Sequence, residues 1–312
     1  QHNNPFFIMK KILYSLTALL ALASCAKEQQ EIPTPVAGNN DVSVSFIAEE
    51  NSAQTRAFFD ASATLKYEEI AVVDLSVLLQ HGGSLIVRRN FTPAEVSAKK
   101  ATFALPKSVA GKSVEFYAIA NTTVGDIADK AALLALKETS AAVYNGTFAE
   151  VSAAAKRSGG FLMSGSATKT VAAAGQATDV AITLKRDVAK IAIQSSLSAD
   201  FASKYPGKIK VNSAKISRAA SQTPYFGGTI ASGAMTYTHT QTPKEDAGKY
   251  NSLFYLFENG TLAAGSRVLL TLEATYDKDG NFSTTGDQTP VTYEVELKGT
   301  SDNGTILRNG YY

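Results

Sequence analysis

The chain of 312 residues contains no tryptophan, one cysteine, three histidines and nine prolines, and only 19% of its residues are charged. Each shortage excludes something. A single thiol allows no disulfide within the chain, so its domains must hold by packing and hydrogen bonding alone. The histidines His2, His81 and His239 are too far apart in sequence to suggest a metal pair. Neither Gly-x-Ser-x-Gly, His-Glu-x-x-His nor a phosphate-binding loop occurs, so the expectation is of no enzyme, no cofactor and no metal. Asp277-Lys-Asp-Gly280 resembles a fragment of a calcium loop but lacks the spaced glutamate, and reads as a plain turn. Lys10 and Lys11 precede Cys25, and beyond them 28 basic residues balance 28 acidic ones. With no basic stripe, nucleic acid is not an expected partner.

What is present is β-forming. Apolar residues make up 45% of the chain, enough for real cores, and the length predicts two domains. Thr, Val, Tyr, Phe, Ser, Gly and Ala dominate while tryptophan is absent, which favours sheets over helical bundles.

The cysteine is informative through its position. Residues 1–8 read as upstream read-through before Met9, and residues 9–24 as a signal: Lys10 and Lys11, an apolar run from Ile12 to Ala23, then small residues. That run is too short to span a bilayer. Its end, Leu22-Ala-Ser-Cys25, resembles a bacterial lipobox, whose cysteine is acylated and becomes the first mature residue. Residues 25–40 are polar and proline-bearing, a tether. Acylation adds roughly 0.8 kcal/mol of membrane affinity per buried methylene, so the lipid would hold the protein until the tether or the segment behind it was cut.

Asp41 to Ala57 organises the remainder. Val42, Val44 and Phe46 fall on one face and Ser43 and Ser45 on the other, the period of a half-buried strand, and a polar run then leads to Arg56-Ala57. On its own, Arg56 reads equally well as an ordinary loop arginine. Strand follows strand thereafter. Residues 70–79 and 84–91 flank His81-Gly-Gly83 as a hairpin, and residues 101–105, 114–121 and 161–165 are further strands. Residues 125–140 predict the one good helix, covering an end of a sandwich. Residues 179–194 form a long extended segment interrupted by Lys185-Arg-Asp187, taken as the domain boundary. Strands at 208–217, 253–257, 268–276 and 291–297 repeat the habit.

Met163-Ser-Gly165, Lys185-Arg-Asp-Val-Ala-Lys-Ile191, Tyr117-Ala-Ile-Ala-Asn121, Phe254-Tyr-Leu-Phe-Glu-Asn259 and Leu307-Arg-Asn309, following a lipobox, resemble the Bacteroidota fimbrillins, the type V pilins. The resemblance spans nearly everything from Met9. It implies a mainly β protein with two transthyretin-like β-sandwich domains in tandem, residues 41–186 with a short helix and residues 187–312. It also implies an outer-membrane lipoprotein precursor acylated at Cys25. An arginine-specific protease would cut at Arg56-Ala57, the strand holding Val42, Val44 and Phe46 would be removed, and other pilin subunits would join by donor-strand exchange into a cell-surface fimbrium that meets host or bacterial ligands. The fimbrillin pattern runs on past Tyr312, so the second domain is expected to be truncated. The alternatives are an uncleaved lipid-anchored adhesin or pilus anchor, or a carbohydrate-binding sandwich lipoprotein, against which the lack of tryptophan counts.

If Cys25 carries the anchor, Cys25→Ala will move the precursor out of the membrane fraction; fractionation and lipid labelling check this, and unchanged partitioning would contradict it.

Overall fold

A computed structural model of the chain describes residues 40–49, 71–153, 156–228, 230 and 232–312. Within them the alternating β-branched and aromatic residues form β1 (Asn40–Ala48), β2 (Leu75–His81), β3 (Ser84–Asn90), β4 (Lys100–Leu105), β5 (Ser113–Ala120), β6 (Lys137–Glu138), β7 (Met163–Thr170) and β8 (Thr178–Arg186). They continue as β9 (Val188–Ser196), β10 (Lys208–Ala219), β11 (Thr223–Pro224), β12 (Tyr237–Gln241), β13 (Lys244–Asp246), β14 (Lys249–Phe257), β15 (Leu269–Asp277) and β16 (Gln288–Glu296). The fold is mainly β, in two sandwiches.

In the first, β4, β1 and β8 form one sheet and β3, β2, β5 and β7 the other, joined at one end where Met163 and Ser164 pair with Arg186 and Lys185. Val77, Leu79, Phe103, Phe116, Val180 and Ile182 fill the space between. The β2–β3 hairpin turns through Gly82 and Gly83 at φ 59° and 86°, a conformation other residues adopt only at a cost. The second sandwich pairs β13, β14 and β9 in one sheet and β12, β10, β15 and β16 in the other, around Ile191, Ile216, Phe254, Leu256 and Leu270.

The helix expected over 125–140 shrinks to one turn. Asp129 caps it by accepting the Ala132 amide at 2.8 Å, α-helix Lys130–Leu134 buries Leu133 against Leu78, Tyr117 and Ile119, and the turn then stops. Lys137 and Glu138 instead pair as β6 with Pro224 and Thr223 of β11, so strand pairing from the second half overrides local helix propensity. Two other short helices carry a signal that apolar periodicity does not reveal. Thr92-Pro-Ala-Glu95-Val-Ser-Ala98 and Thr147-Phe-Ala-Glu150-Val-Ser-Ala153 are the same capping box used twice. In each, the threonine amide donates to the glutamate at 2.7 Å and the glutamate amide returns a bond to the threonine hydroxyl at 3.3 Å.

The two halves meet around Arg308. Its guanidinium donates to Glu258, at 2.9 Å from Nε, and to the carbonyls of Tyr225 and Pro224, each at 2.6 Å. Asp187, fully buried between β8 and β9, lies 3.4 Å from the same guanidinium. Burial pushes its carboxyl well above the usual carboxylate range; Arg308 opposes this, but its closer contacts go to Glu258. Gly165 permits β7 to approach β8, because a Cβ there would stand 2.2 Å from the Thr183 carbonyl oxygen.

Because folding raises the Asp187 pKa, the folded state holds this proton more tightly than the unfolded chain. Its stabilising effect is complete below the unfolded value near 3.9 and is lost as pH climbs through the folded value. In urea unfolding between pH 4 and 8, the wild type should lose stability relative to Asp187→Asn as pH rises; parallel curves would refute this.

Candidate functional site

Strand β1 has a partner on each edge. It runs antiparallel to β4, from Asn40 opposite Leu105 to Ser45 opposite Lys100, and parallel to β8, from Val42 beside Thr178 to Ala48 beside Leu184. At its end the Phe46 amide donates to the Lys99 carbonyl at 3.1 Å and the Glu49 amide to the Leu184 carbonyl at 2.8 Å. A parallel pair cannot be made by a tight turn, so backbone pairing and side chains, rather than a hairpin, keep β1 in place.

The inward face is dry. Val42 and Val44 are fully buried and Phe46 nearly so, its ring 6.0 Å from that of Phe91 in an edge arrangement. At ~1.5–3 kcal/mol each, these three side chains contribute about 5–9 kcal/mol of burial. The opposite face is less exposed than the alternation alone implies. Ser43 is buried and accepts from Thr102 at 3.3 Å, while the Ser45 hydroxyl donates to the Val180 carbonyl at 3.4 Å. Only Ile47 stands out in solvent, at 59% exposure. Lifting β1 out would therefore leave two unpaired strand edges, β4 and β8, with an apolar slot between them.

Of the residues singled out in the sequence, the structure brings Val42, Val44 and Phe46 together in this slot, whereas Cys25, Arg56 and Ala57 lie outside the described residues. His81 and His239 bond the carbonyls of Ser113 and Gly146, each at 2.8 Å, in different sandwiches. Asp277, Asp279 and Asp287 gather with carboxylate oxygens within 4.8 Å of one another. These oxygens accept backbone amides of the turn itself, those of Asn281 and Asp279.

A further pair was not legible beforehand. The Asn309 side-chain amide donates to Glu49 at 3.1 Å, joining the end of β1 to the last residues of the chain across 260 positions. No local pattern signals a contact of that range.

Sequence comparison is silent: neither a family model nor a curated protein matches the chain. Structural comparison is not. The fimbrilin of Porphyromonas gingivalis W83 superposes with a TM-score of 0.57 at 18% identity, covering 89% of this chain and 89% of that one. The tip fimbrial protein Mfa3 of Porphyromonas gingivalis, with a C-terminal truncation, superposes with a TM-score of 0.51 at 13% identity, covering 87% and 92%. The chain has the fimbrillin fold. In this fold β1 is met by β4 and β8 rather than by its chain neighbour β2.

Phe46→Ala should cost about 3–5 kcal/mol of stability, the penalty for emptying a well-packed aromatic site. Ile47→Ala, one residue along but exposed, should stay within about 0.5 kcal/mol. Denaturant unfolding of both variants decides it, and similar losses would refute the assignment of inward and outward faces.

Proposed function

We propose that the protein is a pilus subunit of the fimbrillin kind, exported as an outer-membrane lipoprotein precursor through Cys25, cut after Arg56 and polymerised into a surface fimbrium for adhesion when a strand from another subunit replaces β1. The observation that carries this reading is the two-sided seat of β1. A central strand with partners on both edges and three buried side chains is held by non-covalent contacts that any extended segment of similar pattern can reproduce, the logic of β-augmentation. The strand's polar continuation runs to Arg56-Ala57, a site for an arginine-specific protease. Likeness in fold to a fimbrilin and to a tip fimbrial protein supports the same reading.

The energetics favour exchange over emptiness. The roughly 5–9 kcal/mol from the three side chains is comparable with the whole stability of a small domain, so a subunit whose groove lost β1 without replacement would be marginal. Polymerisation restores what removal costs. In this scheme the domain of residues 41–186 accepts a strand and other pilin subunits are the partners.

Arg56→Ala should stay monomeric after treatment with an arginine-specific protease, while the wild type forms denaturant-resistant ladders on gels run without boiling. Ladders of equal length from both would remove Arg56 from the mechanism, and no ladders from either would count against strand exchange.

A further inference from the structure

Residues 178–192 form one nearly continuous extended ribbon, β8 then β9, and two segments follow one another along the same edge of it. The even-numbered residues display this edge. Leu184 accepts from the Glu49 amide at 2.8 Å, Val188 from the Asn309 amide at 3.0 Å, Lys190 exchanges bonds with Gly310 and Tyr312 at 2.9 Å each, and the Ala192 amide donates to Tyr312 at 2.8 Å. Strand β1 thus runs parallel to β8 as far as Glu49, and residues 309–312 take over parallel to β9. Between them falls the Arg186 amide. Its acceptor is neither segment's backbone but the Asn309 side-chain oxygen, at 3.4 Å.

Asn309 therefore splices the two segments, and its other side-chain atom faces the occupant of the groove. The Asn309 amide nitrogen lies 3.1 Å from the Glu49 carboxylate, the Lys185 ammonium 3.5 Å from the same oxygen, and the Arg186 guanidinium donates to the Glu49 main-chain oxygen at 3.4 Å. Asn309 is fully buried and held in the left-handed region at φ 61°, so the donor is fixed in place before any occupant arrives. One ammonium and one oriented amide on a single carboxylate oxygen, with a guanidinium on the main-chain oxygen beside it, make a subsite selective by charge.

We infer that the far end of the β1 groove, formed by Lys185, Arg186 and Asn309, reads a carboxylate on whichever strand occupies it, and that a replacing strand from another pilin subunit carries Asp or Glu three residues beyond its last buried apolar residue, where Glu49 stands beyond Phe46. This rests on the strand-exchange reading above. Apolar alternation alone is a permissive code, which many strands of the protein's own sandwiches satisfy; a charge requirement at one end sets both the register and the direction of the incoming strand. A one-residue slip would move the carboxylate to the other face as well as displacing the apolar set.

The test uses the full chain with a site-specific protease sequence in place of residues 53–57, cut so that β1 remains seated but is no longer covalently joined. Fluorescent peptides of residues 40–49, amidated at the end so that no terminal carboxylate substitutes for the side chain, are exchanged in through mild denaturant and their Kd is read by anisotropy. One peptide carries Glu49, the other Glu49→Gln. Because Glu49 and Lys185 are 34% and 46% exposed, the Glu peptide should bind about three- to fivefold tighter at low salt, as a partly solvated pair does. That preference should fall to less than about 1.5-fold in 1 M salt and in Lys185→Gln. Asn309→Ala should weaken it too, and Lys185→Gln, on the surface, keeps the test valid should the buried variant not fold. Equal affinity of the two peptides for the wild-type chain overturns the subsite while leaving strand exchange standing, as does a preference that survives in Lys185→Gln. Failure of either peptide to enter the groove overturns strand exchange and the subsite with it.

Discussion

The structure depends on one row of main-chain donors and acceptors, the even-numbered edge of residues 178–192. The first half of the row seats β1 and the second half seats the last residues of the chain, so both ends of the described protein meet on a single ribbon. The other edge of the same ribbon is taken by β7 at Arg186 and by β14 along Val188 to Ser196. From Lys185 to Ala192 the ribbon is held on both edges and cannot shift without breaking bonds in both sandwiches. That makes the ribbon the fixed member, and the segments lying along it the exchangeable ones.

Exchangeability has a physical basis in what holds β1. Its inward contacts are Val42, Val44 and Phe46, whose contribution is burial and carries little directional information, since cores accept other apolar side chains of similar volume. Its pairing with β4 and β8 is main-chain bonding, which does not depend on side-chain identity. The direction of β1, parallel to one neighbour and antiparallel to the other, is set by those same edges. Apart from the hydroxyl contacts of Ser43 and Ser45, the groove meets a charged side chain at Glu49, and that is where Lys185 and Asn309 converge.

How much of this is legible in the sequence depends on the range of the interaction. The alternation in 42–46 and in 179–194 announces strands, because period-two burial is a local property, and Gly82-Gly83 announces a hairpin for the same reason. The helix over 125–140 fails beyond Leu134 because β11, some ninety residues later, captures Lys137 and Glu138, and no window of neighbouring residues contains that competitor. Strands β12 and β13 escape notice because Tyr237–Gln241 and Lys244–Asp246 are polar on both faces. The twin capping boxes at Thr92 and Thr147 were legible, but only to a search for caps. That β1 lies between β4 and β8 is not legible in any spacing, since parallel pairing leaves no mark on the sequence.

Several residues within the stretches that carry the resemblance occupy structurally demanding positions. Asn121 and Asn309 adopt positive φ, at 63° and 61°, while their side chains bond backbone groups distant in sequence. Gly165 stands where a Cβ would strike the Thr183 carbonyl, and Arg308 reaches Glu258, Tyr225 and Pro224 from one side chain. Asn259 bonds the carbonyls of Gly260 and Gly304 in a buried corner, at 2.8 and 2.7 Å. Each of these positions demands a particular backbone freedom or a particular set of donors, and few residue types meet the demand. A core position such as Ile182 or Leu270 demands only volume and apolarity, and several types satisfy it. Positions with such demands lie where strands turn, cross and meet, which is also where β1 ends against the rest of the chain.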